Sequence, residues 1–269
     1  MSMDWGYVKY TNGIVLNILK NLATQAGQAI MGIYATDFAV QSKEDNSPVT
    51  IADQTANDMI TKGLKKYFPK YAILSEEAKD DLTRLMNDYC FLVDPLDGTK
   101  EFVKRNGQFT VSIALTYKNR SVLGVIYAPV MQQMYYAAKG DGAYLKDLAT
   151  GAVKKLSVTN KLNELIWVGS ESHSSAKEEE LIAQHRSLIS EVIQVGSSLK
   201  GCMVAEGKAD VYYRFGVTAE WDTAAMQCIV EAAGGICRQM DGSEMLYNRK
   251  HHLQEKGFYM VNRKENIWV

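Results

Sequence analysis

Between residues 13 and 35 apolar side chains recur every three or four positions (Ile14, Leu16, Leu19, Leu22, Ala26, Ile30, Ile33), the spacing of one face of a long amphipathic helix. A turn-like stretch, KEDNSP, separates it from TIADQTANDMITKGLKKYF, which predicts a second helix capped by Thr50 and stopped by Pro69. The pattern then shortens. AILSEE (72–77) and YCFLVD (89–94) read as strands that run apolar and end in carboxylates. FTVSIALTY and VLGVIYAPV flank the turn KNRS, and MQQMYYAAKGDGAYL predicts a hairpin turning at Lys139–Gly142. Past about residue 157 strands and helices alternate: IWVGS, a helix from Lys177, EVIQV, a helix over SLKGCMVAEG, DVYYRF and a helix from Trp221. An α+β half (1–157) and an α/β half (158–269) predict two lobes with a cleft between them.

Composition narrows the function classes. With 46% hydrophobic and 23% charged residues, the 269-residue chain has the make-up of a soluble globular protein. Its formal net charge of −1 supplies no positive field for nucleic acid or an anionic membrane. Cys90, Cys202, Cys228 and Cys237 form no C-x-x-C pair, which suits reduced, buried thiols. MSMDWGYVKY has no secretory pattern, and no apolar stretch is long enough for a transmembrane segment. The expected setting is cytoplasmic, and no segment requires peripheral attachment to the inner membrane.

The candidate chemistry is acidic. Glu76, Asp94, Asp97 and Asp222 stand where strands or turns end, places where packing seldom asks for a carboxylate. In DPLDGTKEF, Asp94 closes an apolar strand, Pro95 stiffens the turn and Asp97 follows three residues on. Both carboxylates can face one point, with the Leu96 carbonyl as a third oxygen. Gly98 permits close backbone approach, so the N–H groups after it can hold a phosphate oxygen. An all-oxygen set without histidine or cysteine selects Mg²⁺ or Mn²⁺ over zinc, and four negative charges balance two divalent ions. Thr99 can orient an attacking water and Asp53 can accept a proton from its hydroxyl. Taken singly, these positions have plainer readings. A D-x-x-D-G pair is also a solvated turn, Glu76–Glu77 an exposed acidic turn, and Asp222 a carboxylate at a helix N-terminus. A haloacid-dehalogenase loop is excluded, because its nucleophilic aspartate would fall at Pro95.

At these residues the chain resembles the inositol monophosphatase superfamily. The motifs V-T-x-A-D, S-E-E, D-P-L-D-G-T and W-D-x-A-A occur in order at 49–53, 75–77, 94–99 and 221–225. Within it the chain is most similar to the bacterial CysQ branch, the 3′(2′),5′-bisphosphate nucleotidases, through DPLDGTKEFVKRNGQFTVSIAL, GVIYAPV, GSSLK and the RFG before WDTAA. The resemblance implies a layered αβαβα sandwich of the sugar-phosphatase type. It implies metal ligation by Glu76, Asp94, Leu96 (carbonyl), Asp97 and Asp222, with Asp94 bridging two Mg²⁺ ions and a third joining through Glu76. Thr99 and Asp53 match the pair that activates the attacking water, and hydrolysis proceeds without a covalent enzyme intermediate. Lithium sensitivity is expected.

Substrate contacts are implied for Asp97, Gly98, Thr99, Lys100 and Asp222, and further out for Ser170 with His173 and Ser197 with Lys200. Lys200 and Arg214 are placed to neutralise a second phosphate; read alone, each is an ordinary solvated basic residue. Glu220 departs from the branch and has no assignable role. The implied reaction converts adenosine 3′,5′-bisphosphate to AMP and phosphate in sulfur assimilation, with the phosphosulfate analogue as a related substrate. An inositol or sugar phosphatase, and a catalytically silent metal or nucleotide sensor, stand as alternatives. Homodimer and monomer both remain open.

Overall fold

The computed structural model describes residues 5–36, 40–42, 48–172 and 175–269, with side chains over 13–36, 51–172 and 175–269. Helix α1 (Trp5–Tyr34) starts eight residues before the apolar repeat does and buries Leu19, Ala23, Ala26 and Ile30 along one face. Two short antiparallel strands, β1 (Val40–Ser42) and β2 (Pro48–Thr50), lead into α2 (Ile51–Tyr67). Residues 43–47 of the expected turn and the Thr50 side chain expected as a cap lie outside the described residues. The two helices touch closely, since a Cβ on Gly63 would fall 2.3 Å from a methyl of Leu22.

A seven-stranded sheet follows in strictly sequential order: β3 (Ala72–Ser75), β4 (Tyr89–Asp97), β5 (Thr110–Tyr117), β6 (Arg120–Ala128), β7 (Gln133–Ala138), β8 (Gly142–Asp147) and β9 (Val153–Lys155). Only the β3–β4 pair in this sheet is parallel. Its central strands read as unbroken apolar runs because both faces are covered. Alternate residues sort accordingly. Val111, Ile113, Leu115, Leu123, Val125 and Tyr127 pack with α1 and α2, while Ala114 and Ile126 face the opposite side.

The second sheet has the order β11-β10-β12-β16-β14, built from β10 (Leu165–Ser170), β11 (Ile189–Val195), β12 (Val211–Arg214), β14 (Ile236–Gln239) and β16 (Phe258–Val261). Strand β10 pairs parallel to β11 and β12, and β16 pairs antiparallel to β12 and β14. Helix α3 (Thr99–Val103) lies at the end of β4, and α4 (Ala176–Gln184) packs Leu181 on Trp167, Val211 and Tyr213. Helices α5 (Leu199–Glu206) and α6 (Glu220–Ala232) fill the space between the sheets, with a two-residue pair, β13 (Thr218–Ala219) and β15 (Leu253–Gln254), leading into α6. The layers run α1/α2, first sheet, α5/α6, second sheet, α4: an αβαβα sandwich.

One core crosses the join between the sheets, since Leu92, Ile126, Val168, Tyr212 and Ile229 belong to a single buried cluster. Gly124 of β6 makes that join tight: a Cβ there would sit 2.7 Å from the Ala225 carbonyl oxygen. The four cysteines are free and buried. Among the described residues no helix is long and apolar enough to cross a membrane.

Candidate active site

Strand β4 carries its apolar run through Val93 and continues past the predicted end at Asp94. Its pairing with β5 slips between Asp94 (opposite Ser112) and Asp97 (opposite Thr110), leaving three steps on β4 against two on β5. That bulge turns the strand end and presents Asp94, Leu96 and Asp97 to one cavity of about 360 Å³. The Leu96 N–H donates to Asp94 Oδ1 at 3.1 Å, and the Thr99 hydroxyl donates to the Leu96 carbonyl at 3.3 Å.

Gly98 is left-handed (φ +94°), a conformation that disfavours other residues. A Cβ there would also lie 3.0 Å from the Gln108 carbonyl and 3.2 Å from Ser197 Cβ. The backbone leading into β5 and the Ser197 side chain thus both crowd this glycine.

The cavity gathers almost every candidate named from sequence. Glu76, Asp94, Leu96, Asp97, Gly98, Thr99 and Lys100 line it from the first half; Ser170, Ser197, Lys200, Arg214 and Asp222 line it from the second. Asp53 lies in the first turn of α2, fully buried, and does not line the cavity, although its charge reaches Asp94. His173 lies outside the described residues.

Hydrogen bonds fix the acids. Asp97 Oδ2 accepts from the Ser198 N–H at 2.5 Å and from the Thr110 hydroxyl at 3.3 Å. Asp222 Oδ2 accepts from the Ala219 N–H at 2.7 Å, so it does cap its own helix while facing the cavity. The helix-N-terminus reading of Asp222 therefore holds, and the carboxylate still reaches the cavity wall.

The electrostatics are those of charges confined together. Burial, then Glu76, Asp97, Asp222 and Asp53, push the Asp94 carboxyl well above its usual range. Burial raises Asp97 too, with Lys200 and Ser198 pulling back, and burial with Asp97 and Glu76 drives Asp222 up to about 8. A hard divalent cation would relieve this repulsion, and among the described residues the cavity offers carboxylate oxygens with no histidine or cysteine on its walls. No three His, Cys, Asp or Glu side chains among the described residues form a closed cage as they stand. Charge and donor chemistry nonetheless fit such an ion.

Lys200 is not the solvated helix end it resembles when read alone. It is 6% exposed, its ammonium donates to the Ser197 carbonyl at 2.6 Å and the Val195 carbonyl at 3.3 Å, and burial lowers its pKa although Asp97 opposes. Arg214, only partly buried in the cavity wall, lies 4.0 Å from Glu178. Neither basic residue is on open surface.

Several contributors escaped the sequence reading. Glu101 lines the cavity and accepts from the Ser172 hydroxyl at 2.6 Å. Ser198 and Thr110 hold Asp97. Glu178 closes a capping box with Ser175, and the Ser-x-x-Glu spacing at 175–178 was the signal for it. Glu220 now has a place: fully buried, it accepts from the N–H groups of Asn248 (2.6 Å) and Arg249 (3.2 Å) and from Arg249 Nε (3.0 Å). That anchors the start of α6, two residues before Asp222.

Comparison with known proteins bears on the family and the fold. The model of the inositol monophosphatase family matches residues 13–265. The 3′(2′),5′-bisphosphate nucleotidase CysQ of Escherichia coli (strain K12) is 42% identical over 248 residues, 91% of this chain and 98% of that protein. Among solved structures, CysQ from Bacteroides thetaiotaomicron superposes with a TM-score of 0.81 at 37% identity, covering 93% of this chain and 97% of that one. The IMPase of Thermotoga maritima gives 0.75 at 25% identity, covering 93% and 91%. Matched by the family model over most of its length, and similar in sequence and fold to these proteins, the chain belongs to the inositol monophosphatase family.

Proposed function

We propose that the chain is a metal-dependent phosphatase that hydrolyses adenosine 3′,5′-bisphosphate to AMP and phosphate, with the phosphosulfate analogue as a related substrate in sulfur assimilation. The observation that carries this reading is a single cavity lined by four mutually repelling carboxylates together with the buried Lys200 and the partly buried Arg214. The likeness to CysQ nucleotidases over nine-tenths of the chain supports the nucleotide as substrate. Residues 1–157 and 158–269 act in this reading as two lobes around the cavity. The buried thiols suit a cytoplasmic enzyme.

Glu76, Asp94, the Leu96 carbonyl, Asp97 and Asp222 would hold two to three Mg²⁺ ions (Mn²⁺ also suits them), which when bound stabilise charge on the phosphoryl oxygens. The remaining work falls to the chain itself. The Thr99 hydroxyl lines the cavity, and its long 3.3 Å bond to the Leu96 carbonyl is one it can exchange for another acceptor. Thr99 then accepts from the attacking water and passes a proton toward Asp53. The backbone at Gly98, Thr99 and Lys100 receives the reacting phosphate beside Asp97 and Asp222, at the start of α3. Ser170 and Ser197 face the nucleoside. Arg214 pairs with the second phosphate, and Lys200, its ammonium held by two carbonyls, adds a fixed positive field. The assignment of His173 to the substrate rests on sequence alone.

The test is phosphate release with Mg²⁺ from adenosine 3′,5′-bisphosphate, inositol 1-phosphate and fructose 1,6-bisphosphate at equal concentration. A large preference for the nucleotide is expected. Preference for either other substrate would keep the acidic site and discard the nucleotide pocket; silence on all three would favour a sensor.

A further inference from the structure

Gly216 stands in the RFG segment with no conformational reason to be glycine. Its φ lies outside the left-handed region that other residues avoid. What demands a bare α-carbon there is the neighbouring side chain. A Cβ built on Gly216 would come 2.8 Å from Arg214 Nη2, 2.9 Å from Cζ and 3.2 Å from Nε, so the guanidinium lies flat against the glycine. On its other flank stands Glu178, with Oε1 4.0 Å from Arg214 Nη1.

Glu178 is itself anchored. It accepts from the Phe215 N–H at 3.4 Å and from the Ser175 N–H at 3.3 Å, where it completes the cap of α4. The guanidinium thus sits in a slot with a glycine floor and a fixed carboxylate wall, and from there it lines the cavity beside Lys200. A planar fork held in one orientation matches two phosphate oxygens at once.

We propose that Gly216 is a specificity-determining position: by leaving room for the Arg214 guanidinium, it sets the preference for substrates that carry a second phosphate. The inference rests on the assignment of Arg214 to that phosphate made above.

Gly216→Ala tests it cleanly, because the added methyl meets the far end of a flexible side chain rather than backbone. The variant folds, and the guanidinium moves. kcat and KM are measured with Mg²⁺ on adenosine 3′,5′-bisphosphate and on 3′-AMP, which lacks the second phosphate, with thermal unfolding as a fold control. Loss of one charge-assisted bidentate contact raises KM for the bisphosphate about tenfold with kcat within about twofold, and leaves 3′-AMP kinetics within about twofold. On an Arg214→Lys background, where no guanidinium fills the slot, Gly216→Ala adds nothing. This double variant also keeps the test valid should the single one misfold.

A bisphosphate KM unchanged by Gly216→Ala would overturn the inference while sparing the reading beneath it. So would an equal rise for both substrates, or a further tenfold loss on the lysine background. A wild-type enzyme that turns over both nucleotides with no preference would overturn the role of Arg214, and the inference with it.

Discussion

Replacing Glu220 by alanine should be among the most destabilising single changes in this chain. The carboxylate is fully buried and serves three donors: the Asn248 N–H at 2.6 Å, the Arg249 N–H at 3.2 Å and Arg249 Nε at 3.0 Å. Asn248 is itself buried, so its amide cannot turn to water when the acceptor goes. A buried donor left unmatched costs about 1–3 kcal/mol, and breaking a buried ion pair from one side about 3–5 kcal/mol. Two features pull the sum down. The Arg249 side chain is 32% exposed and regains solvent, and burial raises Glu220 to about 7 against the pull of Arg249 and the backbone amides, so the pair is only partly ionised at neutrality.

The expected loss is about 3–5 kcal/mol for Glu220→Ala, and about half that for Glu220→Gln, which keeps an acceptor oxygen. Set against a typical total stability of about 5–15 kcal/mol, the alanine variant should be marginal at 37 °C. Urea unfolding in metal-free buffer, followed by far-UV circular dichroism, measures both. A loss below about 1 kcal/mol for alanine, or a glutamine variant as damaged as the alanine one, would refute the argument from unmatched donors.

Asp97→Asn should abolish phosphate release with the fold intact, since an amide oxygen still accepts the Ser198 N–H; chelation by EDTA should silence the wild type and added Mg²⁺ restore it. Residual turnover in either experiment would sink the metal-site reading. Gly124→Ala should cost about 1–3 kcal/mol and lower kcat, because its methyl meets the Ala225 carbonyl at 2.7 Å and pushes the helix bearing Asp222 off the sheet; an unchanged Tm and kcat would show that the join has slack. Asp80 is pushed up by burial but more strongly held below 3.8 by its hydrogen bonds to Arg84 and the Leu82 amide. Its contribution is therefore present above pH 3.8 and lost as pH falls through the lowered value, so Asp80→Asn should flatten that acid limb of stability against pH.

What could be read beforehand was whatever is local. The helix of residues 51–67 and the strands flanking KNRS announce themselves through periodicity, and DPLDGT packs its whole geometry into six residues. The strand ICRQ at 236–239 was missed because four residues of mixed polarity carry no period. Its neighbour FYMV at 258–261 is apolar, but a run that short does not choose between strand and helix.

Lys200 misled for a different reason. Its burial comes from chain that lies elsewhere in the sequence, so a lone lysine at a helix start still reads as solvated. Glu220 likewise gains its meaning only from Asn248 and Arg249, 28 and 29 positions away. Motifs told which carboxylates matter; only the fold tells what holds them.

The hydrogen bond from the Ser198 amide to Asp97 spans 101 positions of chain and ties the tip of the first sheet to the segment that opens α5. Contacts of such separation form only after the entropy of closing the intervening loop has been lost, which makes them late events in folding. Most of the first sheet, joined by tight turns in sequential order, has no such delay. A chain emerging from the ribosome can thus build most of the seven-stranded sheet while Asp222 and Arg214 are still unmade. Catalytic competence arrives last, as a property of the finished chain, and until then the nascent protein carries its acidic cluster only in part.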